Sequence, residues 1–117
     1  MAKLLRAMEE TDLGIRLLQQ AITLNPDFYE AYMELGEMLA SQGRFEEAIA
    51  RLSKALQIDP GSAEAYNGLG SIYADQGSFE EAADHLSRAI EIDPDDIEAR
   101  RMLGIALGNL GRDEDEN

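Results

Sequence analysis

His85 is the one histidine of the chain, and its sequence neighbours are Asp84, Ser87 and Arg88. An imidazole that works as an acid–base group or a metal ligand needs a second ligand or a positioned nucleophile beside it. No such group accompanies His85, which reads as a solvated residue on the outer side of a helix. Paired carboxylates occur at Glu46-Glu47, Glu80-Glu81 and Asp95-Asp96. Each pair starts a helix, where negative charge meets the positive end of the helix dipole, and that placement accounts for them without catalysis. Gly68-Leu69-Gly70 imitates a phosphate loop but lies inside a helical pattern, with no strand before it and no basic residue, so it reads as a packing feature. The acidic run Asp113 to Glu116 lacks the alternating oxygen ligands and central glycine of a calcium loop. With no cysteine in the chain, disulfides and thiolate metal sites are excluded. These residues point away from an enzyme, and neither a metal nor a cofactor is expected.

The elements that carry these residues are set by a repeat. Tyr29 to Ser62 and Ala63 to Asp96 agree at 18 of 34 positions, among them Leu35, Gly36, Gly43, Phe45, Ala48 and Pro60. A period of this length marks stacked supersecondary units rather than one closed globule. Each unit divides into two helices. The first buries Ala31, Tyr32, Leu35, Met38 and Leu39 in one copy, and Ala65, Tyr66, Leu69, Ile72 and Tyr73 in the next. Gly43 and Gly77 stand where a left-handed residue would end that helix, and Phe45 and Phe79 open the partner. The partners bury Ala48, Ile49, Leu52, Ala55 and Leu56, then Ala82, Ala83, Leu86, Ala89 and Ile90. Gly36, Gly70, Ala48 and Ala82 are small because two helix backbones approach closely there, within about 8 to 10 Å.

The spaced residues Tyr32, Leu35-Gly36, Leu39, Ala48, Leu52, Ala55 and Pro60 resemble the tetratricopeptide repeat, as do Tyr66, Leu69-Gly70, Tyr73, Ala82, Leu86, Ala89 and Pro94. Tyr stands in for the family's frequent Trp, Leu for its later aromatic, and Leu39 for a usual Tyr. The resemblance implies an all-α fold, a right-handed superhelical stack of antiparallel helix pairs with about seven helices. It also implies a module that grips other proteins, with the first helix of each pair lining a concave side.

Boundaries follow from the period. Residues 1–110 form the repeat domain: a partial first repeat over 1–28, full repeats over 29–62 and 63–96, and a capping helix over 97–110. Residues 111–117 are expected to be a disordered acidic tail. The partial repeat should hold a short helix over Ala2 to Met8 and a second, capped by Thr11 or Asp12, to about Leu24. Asp27 with Glu30, Ser78 with Glu81, and Asp95 with Glu98 fit capping pairs, and Gly61 with Glu64 is a weaker version. The last helix should bury Ala99, Leu103, Ala106, Leu107 and Leu110, with Gly111 ending it.

The net charge is −14, from 24 acidic and 10 basic residues, and residues 1–25 are neutral while every later stretch is acidic. Such a field disfavours nucleic acid and anionic membranes and favours a basic partner; it also serves plain solubility. No run approaches the ~18 apolar residues of a membrane span, and Met1 to Met8 lacks the apolar stretch of a signal peptide, so a cytoplasmic protein is expected.

Opposite the buried stripes lie Met33, Glu34, Glu37 and Ser41 on one first helix, and Asn67, Ser71 and Asp75 on the next. The last helix offers Arg101, Met102 and Ile105. These ten residues are the expected partner-binding face, suited to a segment carrying Lys or Arg with one apolar anchor. Gly68 and Asn109 lie on the same faces; Glu30, Glu64 and Glu98 also lie there, but capping alone explains them. Met33, Met102 and Ile105 fit either this face or packing between neighbouring helices. Relatives that hold the acidic C-terminal tails of chaperones use a clamp of Lys, Asn and Arg. Here the matching places hold Met33, Glu37, Gly68, Glu98 and Met102, or, counted one repeat earlier, Lys3, Glu34, Glu64 and Gly68. Carboxylates repel a carboxylate, so no such tail is expected to bind. Two functions remain: an adaptor that holds a peptide or helix of a basic partner, and a module that stacks its repeat edges, including Leu4, Leu5 and Met8, into homo-oligomers.

Overall fold

Residues 2–116 are described by the computed structural model, and their side chains as far as Gly111. Six helices follow one another: α1 (Ala2–Leu24), α2 (Tyr29–Ser41), α3 (Phe45–Ile58), α4 (Ala63–Asp75), α5 (Phe79–Ile92) and α6 (Ile97–Glu116). Among the described residues there is no strand, and the all-α class of helix-pair repeats expected from the period is the one observed. The helices group into two compact units, α1 to α3 and α4 to α6.

In the first unit, α2 and α3 form a hairpin. Its turn is made by Gly43, at φ +76°, with the Gly43 N–H donating to Ala40 O and the Arg44 N–H to Leu39 O. A Cβ there would meet the backbone in a conformation that costs L-residues about 1–2 kcal/mol, which is why glycine holds the position. The hairpin closes on Leu35, Leu39, Ala48, Leu52 and Ala55, all fully buried. Gly36 lets the helices meet, since a Cβ on it would sit 2.8 Å from Leu52. The later part of α1 lies on α2, with Ile15 buried and Gly14 against the Met38 side chain. Tyr32 Oη donates to Pro26 O and ties the connecting loop to α2.

The second unit repeats the plan. Gly77 turns at φ +79°, and the Ser78 N–H donates to Tyr73 O. Ala82 and Leu86 of α5 and Ala106 of α6 make a buried cluster, with Tyr73, Phe79, Met102 and Leu103 packed around it. Arg100 stands at the register of Tyr32 and Tyr66, and its Nε donates to Pro94 O at 2.8 Å. A guanidinium thus reproduces the loop tie that Tyr32 makes in the first unit, which the sequence reading did not anticipate.

Several expectations need correction. Among the described residues there are six helices where about seven were expected, because the two short helices expected before Leu24 are one. Thr11 does not cap; its hydroxyl donates to Ala7 O within the helix. The reason is positional. Where Gly43 and Gly77 turn the chain, the first unit has Glu9, and where Phe45 and Phe79 pull it back, it has Thr11. At the other end α6 passes through Gly111, which has no positive φ. Gly111 permits a turn, but position 113 offers no Phe to drive one. The segment expected as a disordered tail is therefore helical as far as Glu116, and Asn117 lies outside the described residues. Leu107, expected in the core, is 52% exposed.

The caps of α2, α4 and α6 also shift by one residue, while that of α5 keeps its expected place. Phe28, not Asp27, is the N-cap of α2 and makes no side-chain cap bond; Ser62 caps α4 through Ala65 N–H; Ser78 sits at the N-cap of α5 without a side-chain bond. Asp96, not Asp95, caps α6, its Oδ1 accepting from Ala99 N–H at 3.0 Å. His85 is half-buried rather than solvated. Its ring lies 5.1 Å from Tyr73 and 6.2 Å from Tyr66, and Nδ1 contacts Glu81 O.

Candidate functional site

In the second unit α4 and α6 both pack on α5, and their outward faces flank a cleft of about 440 Å³. Ser71, Ala74 and Asp75 come from α4, Phe79 from the first turn of α5, and Glu98, Arg101, Met102, Ile105 and Asn109 from α6. Helical spacing places them: Ser71, Ala74 and Asp75 are three and four residues apart, as are Glu98, Arg101, Met102, Ile105 and Asn109, so each set shares one face. Phe79 and Met102 are fixed from behind by the cluster around Leu86. Ile105 is 51% exposed, although an apolar side chain of this size gains by leaving water.

The charges are arranged unequally. Arg101 is held by Glu98, its Nη2 at 2.5 Å from Oε1 and its Nε donating to Oε2. That hydrogen bond and the charge of Glu98 raise the Arg101 pKa above its ordinary value. Asp75 is exposed, and among the described residues no hydrogen bond or ion pair engages its side chain. The cleft therefore has an internally neutralised rim on α6, one free carboxylate on α4, and an apolar patch from Met102 and Ile105.

Five of the ten expected face residues, Ser71, Asp75, Arg101, Met102 and Ile105, meet in this cleft. Asn67 does not line it. Its Nδ2 donates to Asp96 Oδ2, linking α4 to the start of α6, while its Oδ1 is buried with no hydrogen-bond partner. Glu34, Glu37 and Ser41 lie exposed on α2 in the first unit, where the Ser41 hydroxyl donates to Met38 O. Met33 is 4% exposed and counts among the buried hydrophobic residues, the packing between neighbouring helices that its sequence position also fits. Asn109, expected on the same face of the last helix, also lines the cleft, whereas Ala74 and Phe79 were not expected there. The signal for Ala74 was its spacing from Ser71; Phe79 read only as a helix opener.

Among the described residues no three His, Asp or Glu side chains gather as a metal site would require. No helix there is long and apolar enough to cross a membrane.

Tetratricopeptide repeat models match residues 1–63 and 39–106. No curated protein matches the chain. Among solved structures it is similar to YrrB, described as a TPR protein with an unusual peptide-binding site, at 33% identity and a TM-score of 0.75, over 85% of this chain and 51% of that one. It is also similar to MamA, at 30% identity and a TM-score of 0.83, over 91% of this chain and 62% of that one. The TPR domain of Arabidopsis OM64 shares the fold at 20% identity, with a TM-score of 0.79 over 86% of this chain and 84% of that domain. The chain thus spans between half and two thirds of the length of YrrB and MamA.

Proposed function

The chain belongs to the tetratricopeptide repeat family, and on that basis we propose that it is a non-enzymatic adaptor whose α4–α6 cleft holds a short segment of another protein. The observation that carries this reading is the convergence of Ser71, Asp75, Arg101, Met102 and Ile105 on one cleft of about 440 Å³. The peptide-binding site for which YrrB is described adds support from a relative of similar sequence.

The preferred segment carries an aliphatic anchor and a Lys or Arg near it. Met102 and Ile105 supply the apolar contact, where a buried side chain is worth about 1.5–3 kcal/mol. Asp75 supplies the counter-charge, and Glu34 on α2 adds to an acidic field that steers a basic segment toward the protein. An acidic C-terminal tail is disfavoured, because Arg101, the one cation lining the cleft among the described residues, is already engaged by Glu98. The work of the complex belongs to the partner.

Peptide arrays presenting Lys- and Arg-bearing segments, with and without an aliphatic residue, test the specificity. The full chain should retain the basic-aliphatic members selectively, and Asp75→Lys should reverse the charge preference. Equal retention of acidic and basic segments would remove the assignment.

A further inference from the structure

One end of the α4–α6 cleft is lined by hydrogen-bond acceptors that no described residue uses. Asp75 is the last residue of α4, and Asn109 stands at the same register on α6, 34 residues later. Asn109 Nδ2 donates to Ile105 O at 2.9 Å. A backbone carbonyl only accepts, so the amide nitrogen is fixed on that side and Oδ1 is left as an acceptor without a partner among the described residues. One turn before Asp75, the Ser71 hydroxyl is likewise unengaged among the described residues. Carboxylate, amide oxygen and hydroxyl thus line the cleft together. Arg101 lies toward the other end, about two turns before Asn109, and is closed on Glu98.

The Asp75 carboxylate is set against its own helix. Negative charge is favourable at a helix N-terminus and unfavourable at the C-terminus, and the last turn of α4 holds no basic residue to offset it. The equivalent place on α2 is Ser41, whose hydroxyl is spent on Met38 O, so the repeat itself does not require an acid there. A cation seated at Asp75 would relieve the carboxylate and the helix end together. Beside these acceptors, Ala74 and Phe79 line the cleft with apolar surface. A methylene stem can lie on such a surface while its charged end stays at the polar groups.

We propose that this end of the cleft is a seat for a lysine side chain of the bound segment, and specifically for its unmodified ammonium. The seat presupposes that the cleft is the binding site, as proposed above, and specifies what is read there. The four methylenes lie over Ala74 and Phe79, and the three N–H donors of the ammonium meet the Asp75 carboxylate, Ser71 Oγ and Asn109 Oδ1. A guanidinium fits less well, because its planar fork asks for a carboxylate in its own plane, and here the acceptors come from three side chains on two helices. A free amino terminus has no stem to cover Phe79. Ile105 and Asn109 are four residues apart, about 6 Å along α6. Two residues of extended chain span about 7 Å, so the lysine stands two residues from the aliphatic anchor. Acetylation of that lysine removes its charge and two of its donors, which makes modification of the partner a switch on binding.

Peptides capped at both ends, carrying one Leu and one Lys two residues apart in either order, test this against the full chain by fluorescence anisotropy. The Lys peptide should bind about tenfold or more tightly than its acetyl-lysine, norleucine and Arg counterparts, because charge-assisted hydrogen bonds are lost or misaligned in each. Asp75→Asn should erase the difference between Lys and acetyl-lysine. The same variant should raise the thermal midpoint of the unliganded chain, whereas Glu80→Gln, an equal loss of charge in the first turn of α5, should lower it. Arg held as tightly as Lys, indifference to acetylation, or an uncapped peptide without Lys bound as well as the capped Lys peptide overturns the lysine seat. So does a midpoint that Asp75→Asn lowers, or that Glu80→Gln raises equally. If all the peptides bind alike and Ile105→Asp abolishes every one, the seat fails and the adaptor reading stands; if none binds, both fail.

Discussion

A single atom separates the roles of two glycines at the same register. At Gly70 a methyl group would collide with Leu86, which is fully buried and has nowhere to move. Gly70→Ala should therefore destabilise the chain by about 1–3 kcal/mol in urea denaturation, the usual cost of overpacking, despite the better helix propensity of alanine. At Gly104 the space is open, and Gly104→Ala in dilute solution should stabilise by up to about 1 kcal/mol. Opposite signs at equivalent positions are the expected result; equal losses would mean that the Gly104 face is covered in the dilute protein. Asp96 is the other residue on which much rests, because it caps α6 and receives the Asn67 amide. Asp96→Ala should cost about 1–2 kcal/mol by the same measurement, through the lost cap and a buried amide left without its acceptor. The sequence showed the small residues and why they must be small. Asn67 was unreadable in this respect, since its partner lies 29 residues away and no local spacing announces it.

Turns decide where helices begin and end, and the chain contains its own controls. Gly43 and Gly77 take positive φ, and Gly111, at the same register, does not. Gly77→Ala should cost about 1 kcal/mol or more from the left-handed backbone, whereas Gly111→Ala should be neutral or stabilising, with slightly greater helicity by circular dichroism. A loss at Gly111 equal to that at Gly77 would mean that the chain turns there too. The four helices of the finished hairpins were legible because period, glycine and phenylalanine agree with one another. The fused α1 and the extended α6 were not, because a repeat alignment transfers boundaries from neighbours and does not register that the residue driving the turn is missing. Caps were placed one residue early at Asp27 and Asp95 because any Asp, Asn or Ser near a helix start satisfies the same pattern.

Charge acts over the molecule as a whole. With a net charge of −14, capture of a basic segment should weaken steeply as salt shortens the Debye length from about 10 Å at 0.1 M to about 3 Å at 1 M, while the contact with Met102 and Ile105 persists. Titrations at two ionic strengths separate the two contributions, and a binding constant indifferent to salt would contradict the electrostatic half of the account. The cleft itself was half legible. Spacing along α4 and α6 identified five of its residues, but which side chains sink into the core, as Met33 does, depends on packing that a stripe pattern does not resolve. The account is tested most directly by backbone amide shifts of the full chain on addition of a peptide bearing one Leu and flanking Lys residues. Shifts should concentrate at Ser71, Asp75, Met102 and Ile105 and disappear in an Ile105→Asp variant that keeps its helicity. Shifts scattered over the outer faces of α3 and α5, or unchanged by Ile105→Asp, would contradict it.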